Sequence, residues 1–154
     1  MKVFMFIFLF CFVLDGYGEE YNGGNRDKCK LAKCHVSLFQ LASRPEFYHG
    51  AVVILKGIAA TKGSTKAIYF DLNSYKYRID VNGVYLNFGK NFESRAEILE
   101  CKNVIVEGTF NGNSQGDSGA FIGELINISR IHPNILLDTN ACEVSGSGKA
   151  RTKS

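Results

Sequence analysis

The sequence predicts an all-β domain with short helices: a small five-stranded Greek-key barrel preceded by a short N-terminal helix. Three observations carry that expectation. Asn103–Phe110 and Ala120–Ile131 are β-rich runs joined by a loop of Gly, Asn, Asp and Ser, the composition of a hairpin connection. Three earlier runs carry strand patterns, starting with Ala51–Ala60, which is apolar on both faces and interrupted at Gly57. Between the third and fourth of these strands the apolar spacing changes to that of a helix, with Phe92, Ala96 and Leu99 on one face and Ile98 beside it.

The 154 residues leave room for one domain, and the first 18 do not belong to it. Met1 and Lys2 precede an almost wholly apolar Val3–Leu14, and Gly16-Tyr17-Gly18 supplies small residues where a signal peptidase reads. This is the pattern of a secretory signal cleaved after Gly18; the apolar run is short of the ~20 residues a membrane-spanning helix needs. A secreted or periplasmic location follows as the expectation. Residues 19–35 read as a polar, Gly-rich leader carrying the first cysteines, 36–144 as the barrel domain, and 145–154 as a flexible basic tail with Lys149, Arg151 and Lys153.

Behind the signal the chain keeps Cys29, Cys34, Cys101 and Cys142. An even count in an oxidising compartment reads as two disulfides. Four cysteines allow three pairings. The pairing expected here is Cys29–Cys34, a short loop, with Cys101–Cys142 tying the C-terminal segment to the entrance of the Asn103 strand. A loop of the second size stabilises by about 3–4 kcal/mol. A metal site of Cys29, Cys34 and His35 is the competing reading, which oxidation disfavours. The formal charge is +3, and without its tail the body is near neutral. It therefore lacks the basic footprint that nucleic-acid binding needs.

Along the domain, Ser37 and Gln40 form a capping box ahead of Leu38, Leu41 and Ala42, and Pro45 ends that helix. A helix of about two turns must pack on something to persist. Gly57 marks a bulge or a tight bend within the first strand. After the turn Thr61–Ser64, the second strand is expected over Ala67–Leu72, with Ile68, Phe70 and Leu72 inward and Tyr69 and Asp71 outward. Asn73–Asn82 reads as a polar, Tyr-rich connector. The third strand points Val84, Leu86 and Phe88 inward and Tyr85 and Asn87 outward. Asn91 is placed to cap the next helix, with Glu93 in its first turn. Val104 and Val106 alternate against Ile105 and Glu107. His132-Pro133 is expected to break the last strand, and Ile135–Leu137 to return to the body where Cys142 can pin it.

Three strands, a helix, then two strands is the order of the OB-fold, a partly open five-stranded barrel, and Gly57 and the Phe92–Leu99 helix sit where that fold places a bulge and a barrel-capping helix. Over Val36–His132 the chain also resembles a group of uncharacterised secreted bacterial proteins. The resembling segments are Ser37-Leu-Phe-Gln-Leu41, Arg44-Pro-Glu-Phe-Tyr48-His-Gly50 and Val106-Glu-Gly-Thr-Phe110. Gly116, Gly119, Gly123 and Asn127-Ile-Ser-Arg130 follow the same likeness. These motifs are turns, caps and strand ends. The resemblance implies a shared fold and brings no activity or functional residue with it.

OB-folds bind oligonucleotides or oligosaccharides on the face of strands two and three and its bordering loops. Alternation puts Tyr69, Asp71, Tyr85 and Asn87 on that face, with Tyr75, Tyr77 and Arg78 in the connector, so Tyr69, Asp71, Tyr77, Arg78, Tyr85 and Asn87 are the candidate binding residues. Aromatic rings among amide and carboxylate neighbours suit contacts to a protein, a peptide or a glycan. The bland reading is that the N-terminal helix and its disulfide cover this face. No cofactor motif is present, and no catalytic set can be assembled. Gly116-Asp117-Ser118-Gly119 has the look of a serine-protease nucleophile loop, but it lies between two strands where Gly, Asp and Ser are turn residues. His35, His49 and His132 offer it no matching base. Glu93, Glu97 and Glu100 read as a solvated helix face. Asn127-Ile-Ser129 has the form of a glycosylation acceptor but falls in a strand. The leading expectation is a non-enzymatic binding module of the cell envelope. The alternatives are a small metal-dependent hydrolase or nuclease on the same scaffold, and a structural envelope accessory protein.

Overall fold

A computed structural model describes residue 29 and residues 32–89, 96–137 and 141–144. The expected signal (1–18), the first ten residues of the leader, the helix start at Asn91, Phe92 and Glu93, and the basic tail (145–154) lie outside the described residues. Strand β1 (Cys34–His35) is followed by helices α1 (Leu38–Ser43) and α2 (Pro45–Tyr48), then by β2 (Val52–Ala60) and β3 (Ala67–Tyr69). Helix α3 (Leu72–Lys76) and a 3-10 turn at Asp80–Asn82 lead to β4 (Gly83–Leu86). A second 3-10 turn at Glu97–Leu99 precedes β5 (Asn103–Asn111), β6 (Glu124–Pro133) and α4 (Ala141–Val144).

Strands β2, β3, β4, β6 and β5 follow one another in the sheet, and β5 pairs back onto β2. The barrel is closed, and β4 runs parallel to β6 while the other four pairings are antiparallel. This is the OB-like order the sequence predicts. Strand β3 pairs with β2 only over Ile58–Ala60, and β1 pairs in parallel with the edge of β2 left open at Val53 and Ile54.

The main core is built from the inward faces of these strands, with Val53, Leu55, Ile68, Val84, Leu86, Val104, Val106, Phe110 and Leu125 buried together. Leu38 and Leu41 of α1 and Ala96 and Leu99 join the same cluster. Helix α1 starts where its sequence dictates: Ser37 Oγ accepts from Gln40 N–H and Gln40 Oε1 accepts from Ser37 N–H, a complete capping box. The second half of strand β2 is apolar on both faces because both are covered there, whereas Val52 and Lys56 are exposed. Ile58 packs with Cys101 and Ala141, and Ala60 with Ala67, Tyr69 and Phe121. The disulfides are Cys29–Cys34 and Cys101–Cys142, the pairing expected.

Three local expectations need correction, those for Gly57, for the end of β3 and for Ile135–Leu137, and β6 carries an irregularity of its own. The ladder from β2 to β5 runs unbroken through Gly57, so this glycine marks no bulge. It allows a close approach instead: a Cβ there would sit 2.5 Å from the backbone oxygen of Tyr69. The register shift lies between Glu107 and Thr109, so that Asn127, Ile128 and Ser129 oppose Gly108 alone. Asn127 lies within β6 as expected, and at this irregularity it is exposed with φ +50°. Strand β3 stops at Tyr69, because Asp71 caps α3 by accepting from Ser74 N–H at 2.8 Å. Phe70 is thereby released from the alternation and is 58 % exposed instead of buried. The Asn73–Asn82 connector thus contains most of a helix and a 3-10 turn. Strand β6 ends at Pro133 as expected, with His132 and Pro133 forming its last pairs, to Ile105 and Val104; proline is tolerated at the end of a ladder. Ile135–Leu137 does not return to the body but stands in solvent.

Candidate functional site

The face of β3 and β4 opposite the main core is where sequence placed the binding residues, and the loop joining β5 to β6 folds across it. Phe121 of that loop is 1 % exposed and packs against Tyr69 (ring centroids 6.4 Å apart) and Tyr85 (5.8 Å). Gly116, at φ +69°, lets the loop lie on Tyr85: a Cβ there would meet that side chain at 2.8 Å. Tyr69 is consequently 0 % exposed, which corrects its assignment as a ring on the outer wall. The cover is the β5–β6 loop, not the N-terminal helix. Tyr85 is half-buried, Asp71 is committed to the α3 cap, and Asn87 donates to Glu124 at 2.7 Å. Tyr77 is 68 % exposed.

What the loop leaves open is a polar hollow of about 290 Å³ lined by Lys62, Gly63, Ser64, Thr65, Tyr69, Arg78 and Asp80. It lies between the β2–β3 loop and the segment leading from α3 to β4. Two hydrogen bonds bring the β5–β6 loop to its wall: Thr65 Oγ1 donates to Asp117 at 3.0 Å, and Ser118 Oγ to Asp80 at 2.9 Å. The Asp80 carboxylate also accepts from Tyr69 Oη at 2.8 Å. Burial, followed by this carboxylate partner, pushes the Tyr69 phenol up to about 12, so it is a hydroxyl donor at neutral pH. Of the six expected binding residues, the hollow brings together Tyr69 and Arg78.

Glu100, expected on a solvated face, is the post on which this wall stands. Its carboxylate accepts from Thr61 N–H, from Lys62 N–H at 2.8 Å and from Tyr75 Oη at 2.7 Å. It also lies 3.6 Å from the Arg78 guanidinium, which stacks over the Tyr75 ring at 5.2 Å. Burial alone would raise the Glu100 pKa, but the hydrogen bonds from Thr61, Tyr75 and Lys62 outweigh it and hold the carboxyl below its usual value. Sequence reasoning missed Lys62, Ser64, Thr65, Asp80, Asp117 and Ser118. The predicted strand order was the available signal, because in this fold the first and last hairpin loops border the binding face.

The protease-like loop packs against the wall of the hollow. Ser118 spends its hydroxyl on Asp80, while His49 lies against Asn113 at 3.3 Å and His132 against the Pro133 carbonyl at 3.0 Å. Among the described residues no three His, Cys, Asp or Glu side chains are grouped to hold a metal ion.

No protein-family model and no curated protein matches the chain. Among solved structures it is similar to a protein described as an aspartyl-tRNA synthetase from Leishmania major Friedlin. Identity is 14 %, the TM-score is 0.38, and the match covers 71 % of this chain and 25 % of that one. The chain thus spans about a quarter of that protein's length.

Proposed function

We propose that this chain is a secreted, non-enzymatic binding module of the cell envelope, and that it takes a glycan at the hollow between the β2–β3 loop and the segment leading from α3 to β4. The observation that carries this reading is the pair of bonds Thr65–Asp117 and Ser118–Asp80, by which the β5–β6 loop holds two residues of the hollow's lining, distant in sequence from each other and from the loop. Hydroxyls, a carboxylate and two cations line it, a set suited to the dense donors and acceptors of a sugar. At about 290 Å³ it is just under the ~300 Å³ at which drug-sized pockets begin, so it holds one terminal sugar unit rather than a chain. Two disulfides support the oxidising compartment.

The test is titration calorimetry of the chain against a panel of neutral and acidic oligosaccharides, with Ser64→Trp as the blocking variant. Ser64 is exposed, so the indole fills the hollow without entering the core. Saturable heat for one sugar class, lost in Ser64→Trp with the fold intact, supports the reading. Undiminished binding by Ser64→Trp contradicts the site, and absence of binding across the panel contradicts the glycan.

A further inference from the structure

The polar hollow has its carboxylate partnered and its cations open. Each oxygen of Asp80, the acid that lines it, already holds a hydroxyl, from Tyr69 at 2.8 Å and from Ser118 at 2.9 Å. The Gly63 carbonyl accepts from Lys66 Nζ at 2.9 Å. Lys62 is exposed, and among the described residues no carboxylate pairs with its ammonium. The Arg78 guanidinium lies 3.6 Å from Glu100, beyond hydrogen-bond reach, and rests over the Tyr75 ring with 44 % of its side chain exposed. The backbone at Arg78 is a second, independent observation. Helix α3 ends in a Schellman turn, in which Ile79 N–H donates to Ser74 O at 2.9 Å and Arg78 N–H to Tyr75 O at 3.3 Å. That turn needs a left-handed residue at position 78, where φ is +51° and glycine is the usual occupant. An arginine kept in that sparsely populated region, on the wall of a polar hollow, points to a role for its side chain.

We propose that the hollow selects a sugar whose terminal unit carries an anionic group, a carboxylate or a sulfate, with Arg78 and Lys62 as the specificity-determining residues. This rests on the glycan reading of the same hollow. The planar guanidinium offers parallel N–H donors to an oxyanion, and Lys62 adds a second charge on a flexible stem. Each Asp80 oxygen keeps a further lone pair for a ring hydroxyl, so the neutral part of the unit is recognised as well.

Calorimetry of the disulfide-bonded chain tests this with disaccharides that differ only in the exocyclic group of the terminal unit: a neutral hydroxymethyl, a carboxylate or a sulfate ester. An anionic sugar is expected to bind about tenfold tighter than its neutral twin, and to lose that lead as salt screens the exposed cations. Which of the two anions has the larger lead names the group. Glycine suits the positive φ at position 78, and Lys62 is exposed, so Arg78→Gly and Lys62→Gln are both compatible with the fold, which circular dichroism checks. Each variant is expected to shrink the lead by about threefold or more while the affinity for the neutral twin stays within about twofold. A neutral twin that binds as tightly as both anions, or a lead undiminished in both variants, overturns the selection and leaves the glycan reading standing. Absence of binding by all three sugars overturns both.

Discussion

Glu100 joins three segments through single atoms: the start of the β2–β3 loop, Tyr75 of α3 and, beyond α3, Arg78. Removing its carboxylate by Glu100→Ala orphans donors that have left water. Each such loss costs about 1–3 kcal/mol, so a denaturant midpoint lowered by that order is expected. Because the folded carboxyl titrates below its ordinary value of 4.5, its contribution is complete above that value and is lost as pH falls through the folded pKa. Acid unfolding monitored by fluorescence should therefore be steeper below pH 4.5 in the wild type than in Glu100→Gln. The sign reverses for Tyr69 and Tyr75, both pushed up to about 12 by burial and then by their carboxylate partners. They favour the fold below the unfolded value of 10.0 and withdraw that support as pH rises from 10 to 12. A phenolate absorbance titration should show two late tyrosines, with one lost in Tyr69→Phe and one in Tyr75→Phe. None of this was legible in the sequence. Glu100 stands 25 residues from Tyr75 and 39 from Thr61, and local charge spacing carries no information about such contacts.

At the scale of the elements, legibility tracked how local the determining force is. Ser37 and Gln40 satisfy each other three residues apart, so helix α1 could be read directly. Strand β4 could be read as well, because Val84, Leu86 and Phe88 all face the core. Strand β3 was read three residues too long because Phe70 and Leu72 continue an alternating pattern, while Asp71 switches the backbone to a helix. Capping overrode periodicity there. Gly57 was noticed, but its reason lies across the sheet at the Tyr69 carbonyl. Gly57→Ala should cost about 1–3 kcal/mol by overpacking, read as a lower melting temperature. The Cys101–Cys142 bridge fastens α4 beside the end of β2, where Ala141 N–H donates to Cys101 O at 3.1 Å. Replacing both cysteines by serine should lower stability by about 2–4 kcal/mol while β5 and β6 stay paired, and hydrogen exchange would show the loss concentrated around Ile58.

For the whole molecule, closure of the barrel places the β2–β3 loop, which lines the hollow, and the β5–β6 loop, which bonds to its wall, on the same side. Strand β3 feeds from the first loop, β6 from the second, and the parallel β4–β6 pairing sets Tyr85 against Glu124. The strand order was readable because each strand announced itself in its own segment; of the helix expected over Phe92–Leu99, the described residues show a 3-10 turn at Glu97–Leu99. The site was readable only as a region. Which side chains line it depends on how the β5–β6 loop crosses the sheet, and that crossing turned Tyr69 from an outer ring into an interior hydroxyl. The proposed glycan site is the hollow beside that crossing. Its most direct test is amide chemical-shift mapping of the isotopically labelled chain during titration with the sugar class retained in calorimetry. The expected result is that saturable shifts centre on Lys62–Thr65, Arg78, Asp80 and Asp117–Ser118. Shifts that spare those residues and cluster elsewhere on the barrel would contradict the account.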